Sequence, residues 1–352
     1  MNRRDFLRSE HAWRPAGQLL GAMHELNQLE SEPVQHEFAL LHASRRAMGT
    51  DFEVLLPYGI PHALAAAESA LNEVDCLEQQ LTVYRETSEV SRLNRVAPLA
   101  PVPVERRLYE LLALARSITE ETLGAYDITT GALIKAWQKH RAAGRFPSVE
   151  ERTEALSQVG MQHVILAPEQ CSVRYLKPGL KIDLGSIGKG YAVDRVAEVL
   201  RRDWNLTAAL LHGGHSSVYA MGTEPGNGRG WTIGIRHPWD PERRLALVWL
   251  RDRGLGTSAA TFQYLEHQGR KLGHILDPRT GWPAEGIASV TVLAPTGAQA
   301  DALATAFFIL GLERTREYCD RHPDIGAIVL PEGDPTPVVL GLGAGEVSVL
   351  PD

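Results

Sequence analysis

One glycine-rich stretch constrains this chain more than any other part of it: Lys181-Ile-Asp-Leu-Gly-Ser-Ile-Gly-Lys-Gly-Tyr-Ala-Val-Asp194. Residues 181–184 alternate polar and apolar side chains as a strand does, and the pattern from Tyr191 onward is helical. Three glycines lie between the two patterns and favour a loop. The stretch therefore predicts a strand, a glycine loop and a helix in succession.

A helix that begins directly after a glycine loop presents backbone N–H groups suited to phosphate, and Lys189 adds a positive charge beside them. The glycines at 185, 188 and 190 do not follow the G-x-G-x-x-G spacing of dinucleotide folds. Gly188-Lys189 also lacks the upstream glycine and the following Ser or Thr of a P-loop. The loop therefore predicts either a phosphate site of another kind or an ordinary strand-to-helix turn.

The composition is that of a globular protein with a sizeable core: 352 residues, 44% of them apolar and 22% charged. A net charge of -7 argues against nucleic acid or an anionic membrane surface as the main partner. The three cysteines are widely spaced, so that they predict neither a disulfide framework nor a CxxC metal site.

The first eight residues, Met1-Asn-Arg-Arg-Asp-Phe-Leu-Arg8, look like the start of a twin-arginine export signal. The polar residues that follow do not form the apolar region which such a signal needs, and no apolar run is long enough to span a membrane. We therefore predict a helical arm over residues 1–36, a single domain over residues 37–352, and a cytoplasmic location. The cell envelope is the alternative location.

Hydrophobic periodicity predicts an α+β fold of mostly antiparallel strands with packed helices, because the connections are too irregular for βαβ alternation. A hairpin is predicted over residues 38–56. A helix over residues 61–80 is predicted to bury Leu64, Ala67, Leu71, Val74 and Leu77. Further helices are predicted over 108–122, 132–140 and 298–310, and short strands over 164–166, 172–175, 180–184, 208–211, 218–220, 231–235, 245–250, 288–294, 327–330 and 338–340.

Asp301 and Thr305 lie four residues apart, on one face of the last predicted helix. A carboxylate and a hydroxyl one turn apart suit Mg²⁺, which prefers oxygen ligands. The alternative is a first-turn charge favoured by the helix dipole next to a surface threonine. The alanines around them let another group approach this helix closely, which favours a site.

His274 lies on a predicted strand before an Asp-Pro turn, where it is a candidate for proton transfer or phosphate contact, or else a core histidine. His212 and His215 lack a third ligand at metal spacing, so we predict a glycine turn beside a cavity there. Ser216 follows Gly214 but lacks the second glycine of a hydrolase nucleophile elbow, which argues against its being a nucleophile. Residues 254–259 are small and polar enough to line a ligand.

Taken in order, these stretches resemble the ApbE family of FAD:protein FMN transferases. The motifs that carry the resemblance are Met48-Gly-Thr50, Leu81-Thr-Val-Tyr-Arg85, Ser88-Glu-Val-Ser-Arg-Leu-Asn94, Gly124-Ala-Tyr-Asp-Ile-Thr129 with Trp137, the 181–194 stretch, Gly213-Gly214, Thr257-Ser258, His274-Ile-Leu-Asp-Pro-Arg-Thr-Gly281 and Ala300-Asp-Ala-Leu-Ala-Thr305.

The resemblance implies a T-fold-like core that binds FAD and Mg²⁺. It also implies a reaction that attaches FMN from FAD through a phosphoester to a Thr or Ser of an acceptor protein and releases AMP. Carried over by motif, the FAD contacts would be Met48, Tyr84, Ala125, Tyr126, Asp127, Asp183, Lys189 and Ile275. The metal-site positions would be Ser186, Asp301, Ala304 and Thr305, with Ser186 and Ala304 contributing through the backbone.

The acceptor hydroxyl must lose a proton as it attacks phosphorus, and His274 is the first candidate base, with Asp301 second. His215 and Ala259 depart from the family pattern, which has an acidic residue and a glycine there. Two alternatives therefore stay open: an FAD pyrophosphatase that yields FMN and AMP, and a flavin-binding protein without turnover.

Overall fold

The computed structural model describes residues 39–142, 145–240, 242–259, 265–267 and 270–351. The helical arm predicted over residues 1–36 lies outside the described residues.

The described residues form sixteen strands and seven helices. The strands are β1 (Leu40–Ala47), β2 (Thr50–Pro57), β3 (Val102–Pro103), β4 (Val164–Ala167), β5 (Ser172–Tyr175), β6 (Ala209–Gly213), β7 (Ser217–Met221), β8 (Trp231–Arg236), β9 (Arg244–Leu250), β10 (Arg253–Ala259), β11 (Leu265–His267), β12 (Arg270–Leu272), β13 (Ile287–Ala294), β14 (Gly326–Pro331), β15 (Val338–Leu340) and β16 (Val347–Val349). The helices are α1 (Ala63–Leu81), α2 (Glu89–Val96), α3 (Arg106–Glu121), α4 (Gly131–Ala142), α5 (Val149–Ser157), α6 (Gly188–Trp204) and α7 (Gly297–Arg321).

A large sheet of eight strands, in the order β1-β2-β6-β7-β10-β13-β14-β15, forms the middle of the fold. All its neighbouring strands pair antiparallel. Three smaller sheets are formed by β16-β9-β8, β3-β5-β4 and β11-β12. The predicted α+β fold of mostly antiparallel strands is therefore confirmed.

The large sheet buries both of its faces. On one face, side chains such as Val292 pack in one core with helices α1, α3, α6 and α7. On the other face, side chains such as Leu293 pack against Trp231 and Val248 of the β16-β9-β8 sheet. Because side chains alternate along a strand, neighbouring residues of β13 serve the two cores. The arrangement buries α7 between the sheet and the other helices.

Two predicted elements are confirmed with a change of detail. The helix predicted over residues 61–80 forms as α1, but Leu64 is 60% exposed and does not belong to the buried face. The helix predicted over 298–310 forms as α7, which begins with the cap of Thr296 on the Gln299 N–H at 3.1 Å. It continues past a kink at Gly311 to Arg321.

The strand predicted over residues 180–184 is wrong. Lys181 makes one isolated bridge to Thr130, and the adjoining backbone is bonded to a side chain instead of a strand. The amide of Asn94 accepts from Ile182 N at 2.7 Å and donates to Ile182 O at 2.8 Å. A side chain that satisfies both backbone groups removes the need for a neighbouring strand.

The strand predicted at His274 is also wrong, because this residue lies in a bend. The chain after it forms a tight turn, in which Ala284 N donates to Ile275 O at 2.8 Å and Asp277 N to Trp282 O at 2.7 Å.

Among the described residues, none of the helices has the length and apolar character that a membrane crossing requires.

Candidate active site

Two clefts meet at the glycine stretch. The carboxylate cleft, of about 370 Å³, is lined by Ala125, Tyr126, Asp127, Thr130, Ile134, Asp183, Gly185, Ser186, Lys189, Ser216, Thr257, Ser258, Ala259, His274, Ile275, Leu276, Pro278, Asp301, Thr305 and Ile309. The tyrosine cleft, of about 430 Å³, is lined by Met48, Gly49, Glu78, Leu81, Thr82, Val83, Tyr84, Asp183, Leu184, Gly185, Gly188 and Lys189. Asp183, Gly185 and Lys189 belong to both clefts.

The structure thus brings together almost all the residues that the sequence singled out. Met48 and Tyr84 line the tyrosine cleft, and the other FAD candidates, His274, Ser186, Asp301 and Thr305 line the carboxylate cleft. Ala304 is fully buried inside α7 and is not among the described residues that line either cleft. His215 is exposed and likewise falls outside these linings, whereas Ala259 belongs to the carboxylate cleft.

Asp301 is buried in the first part of α7, with its carboxylate held by two neighbouring elements. Gly190 N of α6 donates to its Oδ2 at 2.7 Å. Ser217 Oγ of β7 lies 2.8 Å from Oδ1 and 2.9 Å from Oδ2. Burial raises the pKa of Asp301, while Lys189, Ser217 and Gly190 act in the opposite direction. The surroundings thus fix the orientation of the carboxylate and partly offset its burial.

Ser217 is a site residue that the sequence analysis missed, since only the preceding Ser216 was weighed, and only as a nucleophile. The only signal in the sequence was the place of Ser217 directly before the strand predicted over residues 218–220, which does not identify a partner. Ser217 opens β7, whose five residues are all buried, and a buried hydroxyl in such a strand needs a polar partner. That partner is Asp301.

We expect Ser217→Ala to shift the acidic limb of the pH–rate profile of FAD cleavage, the reaction that the family resemblance implies, to higher pH. The hydroxyl stabilises the ionised carboxylate, so its loss raises the pKa of Asp301 further and leaves less carboxylate at a given pH. A hydrogen bond to a charged group contributes about 1.5–3 kcal/mol, which corresponds to roughly 1–2 pH units. Ser289→Ala, at another buried serine of the large sheet, is the control. Equal profiles for the two variants would contradict the role of Ser217.

Thr305 lies one turn after Asp301 on α7, as predicted. Its Oγ1 donates to the carbonyl of Asp301 at 3.3 Å and lies 3.3 Å from Ser258 Oγ of β10. Both hydroxyls are half-buried and line the carboxylate cleft. The cleft therefore presents two hydroxyl oxygens beside Asp301.

The glycine loop uses its N–H groups differently from a simple phosphate cradle. Gly185 N donates to Asp183 Oδ1 at 2.8 Å, and Gly188 N donates to Leu184 O at 2.8 Å. Gly190 N donates to Asp301. Two of these N–H groups stabilise the loop and the third holds Asp301, so the positive charge for an anion comes from the half-buried Lys189 side chain.

Tyr126 and Asp127 shape the opposite wall of the carboxylate cleft. Ser186 Oγ donates to the Tyr126 hydroxyl at 3.4 Å, and burial raises the pKa of this hydroxyl. The Asp127 carboxylate accepts from Thr129 N at 2.7 Å, Thr129 Oγ1 at 2.6 Å and Met161 N at 2.9 Å. Asp127 therefore holds the turn that carries Tyr126.

His274 is exposed at the edge of the carboxylate cleft, which excludes the alternative of a core histidine. The turn behind it is held by Arg279, whose guanidinium lies 2.9 and 2.8 Å from the Asp277 carboxylate oxygens. Trp137 Nε1 donates to Gly281 O at 3.0 Å. The turn that follows His274 is thus held by side-chain bonds, and His274 itself is exposed.

The donor set fits Mg²⁺ better than a softer metal. The described residues contain no group of three or more His, Cys, Asp and Glu side chains placed to bind a metal. The carboxylate cleft instead combines the Asp301 carboxylate with hydroxyls of Ser186, Ser258 and Thr305. Mg²⁺ often takes one or two carboxylates, several waters and the phosphate oxygens of a substrate. These oxygen donors are compatible with that pattern.

The sequence model of the ApbE family matches residues 48–329, and the chain therefore belongs to this family.

Among its relatives, the FAD:protein FMN transferase of Escherichia coli K12 is 31% identical over 298 residues, which cover 82% of this chain and 84% of the relative. The FAD:protein FMN transferase of Treponema pallidum is 34% identical over 286 residues, covering 76% and 78%. The solved ApbE protein of Thermotoga maritima superposes with a TM-score of 0.77 at 29% identity, covering 86% of this chain and 97% of that one. The flavinyl transferase ApbE of Pseudomonas stutzeri gives 0.75 at 26% identity, covering 88% and 99%.

Proposed function

We propose that this protein is an FAD:protein FMN transferase. It cleaves the pyrophosphate of FAD, attaches FMN to a Thr or Ser hydroxyl of an acceptor protein, and releases AMP. The observation that carries the proposal is the buried Asp301 carboxylate in a cleft that also receives Lys189 and His274, in a chain of the ApbE family.

FAD carries a ring system at each end and a pyrophosphate between them, which fits two clefts that share Lys189, Asp183 and Gly185. The pyrophosphate would lie where the clefts meet, near the Lys189 ammonium. Tyr84 is 81% exposed at the tyrosine cleft, and its ring offers a face on which a flavin or adenine can stack. Met48, Ala125, Tyr126 and Ile275 supply further wall.

Asp301 and Thr305, with Ser186 on the facing loop, are the residues that would hold Mg²⁺. When bound, Mg²⁺ neutralises charge on the phosphate oxygens. Lys189 contributes fixed positive charge to the same phosphates. Ser217 and Gly190 keep the Asp301 carboxylate oriented before substrate arrives, so that no reorganisation is needed during the reaction.

The acceptor hydroxyl attacks phosphorus and loses its proton, while AMP leaves with the bonding electron pair. His274 is the better candidate base, because it is exposed where a protein substrate can reach it. Asp301 is buried, and both its oxygens already accept hydrogen bonds. The chemistry needs no covalent enzyme intermediate.

The test is to incubate the protein with FAD, MgCl₂ and candidate acceptors and to measure their intact masses. One FMN should be added to a Thr or Ser of an acceptor, with an equal amount of AMP released. Unmodified acceptors together with intact FAD would contradict the proposal.

The cytoplasmic location, the domain boundary at residue 37 and the acceptor itself stay predictions.

We expect His274→Ala to lower the rate of FMN transfer by about 10²–10⁴-fold, the usual contribution of a general base. FAD affinity should change little, because the walls of both clefts are intact. Quenched-flow measurement of AMP release, together with FAD titration, separates the two effects. His215→Ala is the matched control. His215 is also exposed, but it is not among the described residues that line the carboxylate cleft or the tyrosine cleft. A normal transfer rate in His274→Ala would assign the proton to another group.

FAD hydrolysis to FMN and AMP is the second candidate, because the exposed His274 is also open to water. AMP release without any acceptor would favour it. Stoichiometric FAD that survives long incubation with MgCl₂ would instead favour flavin binding without turnover. The departure at Ala259 keeps that third outcome relevant, since this residue lines the carboxylate cleft.

A further inference from the structure

Helices α6 and α7 meet with their backbones in direct contact. A Cβ atom on Gly190 would overlap the carbonyl of Gly297, and one on Gly297 would lie 2.6 Å from Gly190 O. Gly256 of β10 is equally close, because a Cβ there would lie 2.5 Å from Asp301 N. The first turn of α7 is therefore enclosed by glycine backbone from two sides.

Asp194 lies one turn after Gly190 on α6 and bonds to the first turn of α7. Its Oδ1 accepts from Gly297 N at 2.6 Å, and its Oδ2 accepts from Ala298 N at 2.9 Å. Burial, together with the nearby charge of Asp301, raises the pKa of Asp194 to about 7, although the bonds from Gly297 N and Ala298 N act in the opposite direction. Burying a carboxylate costs free energy, so Asp194 is expected to have a role beyond ordinary helix capping.

Ordinary capping of α7 is supplied by Thr296, whose hydroxyl accepts from Gln299 N at 3.1 Å. Asp194 instead connects two helices. The hydrogen bonds from Gly190 to Asp301 and from Gly297 to Asp194 both join α6 to α7. They lie one turn apart and in opposite order along the two helices, and each is called a tie below. One tie allows α7 to pivot, and two ties fix its first turn.

We propose that Asp194 is a positioning residue, which holds the Asp301 carboxylate in register with the Lys189 side of the cleft. The proposal rests on the proposed function for its consequence in turnover. Lys189 and Asp194 belong to α6, and Gly297 and Asp301 to α7, so the tie joins the two halves of the site. Loss of the tie should weaken the response to Mg²⁺ more than the binding of FAD.

The experiment measures FAD cleavage against MgCl₂ concentration for Asp194→Ala and Asp194→Asn. We expect the half-saturating MgCl₂ concentration to rise by about 10–100-fold in Asp194→Ala, the usual cost of losing a group that orients a metal ligand. The KM for FAD should change by less than the MgCl₂ value. Asp194→Asn keeps one oxygen acceptor and should lie between the wild type and the alanine variant.

Glu105→Ala is the matched control, because the Glu105 carboxylate also accepts from two backbone N–H groups, Arg107 N at 2.9 Å and Leu108 N at 3.1 Å, but on α3. An equal rise in the MgCl₂ requirement of this variant would reduce Asp194 to general stability and overturn the proposal. An unchanged requirement in Asp194→Ala would overturn it as well.

Hydrogen exchange gives a readout that does not depend on turnover. The amides of residues 297–301 should exchange faster in Asp194→Ala than in the wild type, while those of α3 stay unchanged. If wild-type protein cleaves no FAD, the proposed function fails, and this exchange measurement still decides whether Asp194 fixes α7. Equal exchange in wild type and Asp194→Ala would refute the positioning role.

Discussion

Asp301→Ala is expected to lower FAD cleavage by about 10³-fold or more, a loss of roughly 4 kcal/mol of transition-state stabilisation. The variant removes the one carboxylate that α7 presents to the cleft. It also leaves Gly190 N and Ser217 Oγ without their acceptor. FAD affinity should fall much less, because Tyr84, Met48 and Tyr126 remain. Equilibrium binding of FAD and the initial rate of AMP release measure the two quantities separately.

Asp301→Asn sharpens this prediction. The amide keeps one oxygen but loses the charge, and its NH₂ group faces donors from Ser217 and Gly190. We expect severe impairment that higher MgCl₂ relieves better than in Asp301→Ala. Asp320→Ala, at an exposed position of the same helix, should match the wild type. Full magnesium-dependent activity in Asp301→Ala would refute both the metal assignment and the proposed chemistry.

Gly190→Ala is expected to produce the largest loss of stability, about 3 kcal/mol or more in the free energy of unfolding, at or beyond the upper end of ordinary overpacking. The new methyl group would overlap the Gly297 carbonyl, which is backbone and cannot rotate away. Relief requires α6 and α7 to separate, which also breaks the bond between Gly190 N and Asp301. Urea unfolding followed by circular dichroism gives the change.

Gly188→Ala is the matched control, two residues earlier in the same glycine stretch. A Cβ at Gly188 meets nothing within 4 Å among the described residues, and the residue already lies in α6. Because Gly188 is the first residue of α6 and the added methyl group meets no described neighbour, alanine should change the free energy of unfolding by about 0.5 kcal/mol or less. A neutral Gly190→Ala would show that the two helices can move apart without penalty.

Much of the fold could be predicted because hydrophobic period is a local property. The β1–β2 hairpin and helices α1, α3 and α7 follow from it, with Leu64 the exception on α1. The strand predicted over 180–184 failed for a non-local reason. The Asn94 amide, more than eighty residues away, satisfies the backbone of Ile182. The alternation of polar and apolar residues over 180–184 cannot reveal that bond.

The site divides in the same way. Asp301, Lys189 and His274 stand in motifs that can be read along the chain, and the structure places them in one cleft. Ser217 and Asp194 could not be assigned from the sequence, since each acts only through a partner on another element. Their roles depend on how β7, α6 and α7 are brought together by packing.

The division of the site into two clefts has a consequence for protein engineering. Met48 and Tyr84, the proposed ring contacts, line a different cleft from Asp301 and His274, and only Asp183, Gly185 and Lys189 are common to both clefts. Under the proposed function, substitutions in the tyrosine cleft outside these three shared residues would alter recognition of one ring system of FAD while leaving Lys189, Asp301 and His274 in place. If transfer is confirmed, such variants would be a starting point for attaching FAD-derived labels covalently to proteins.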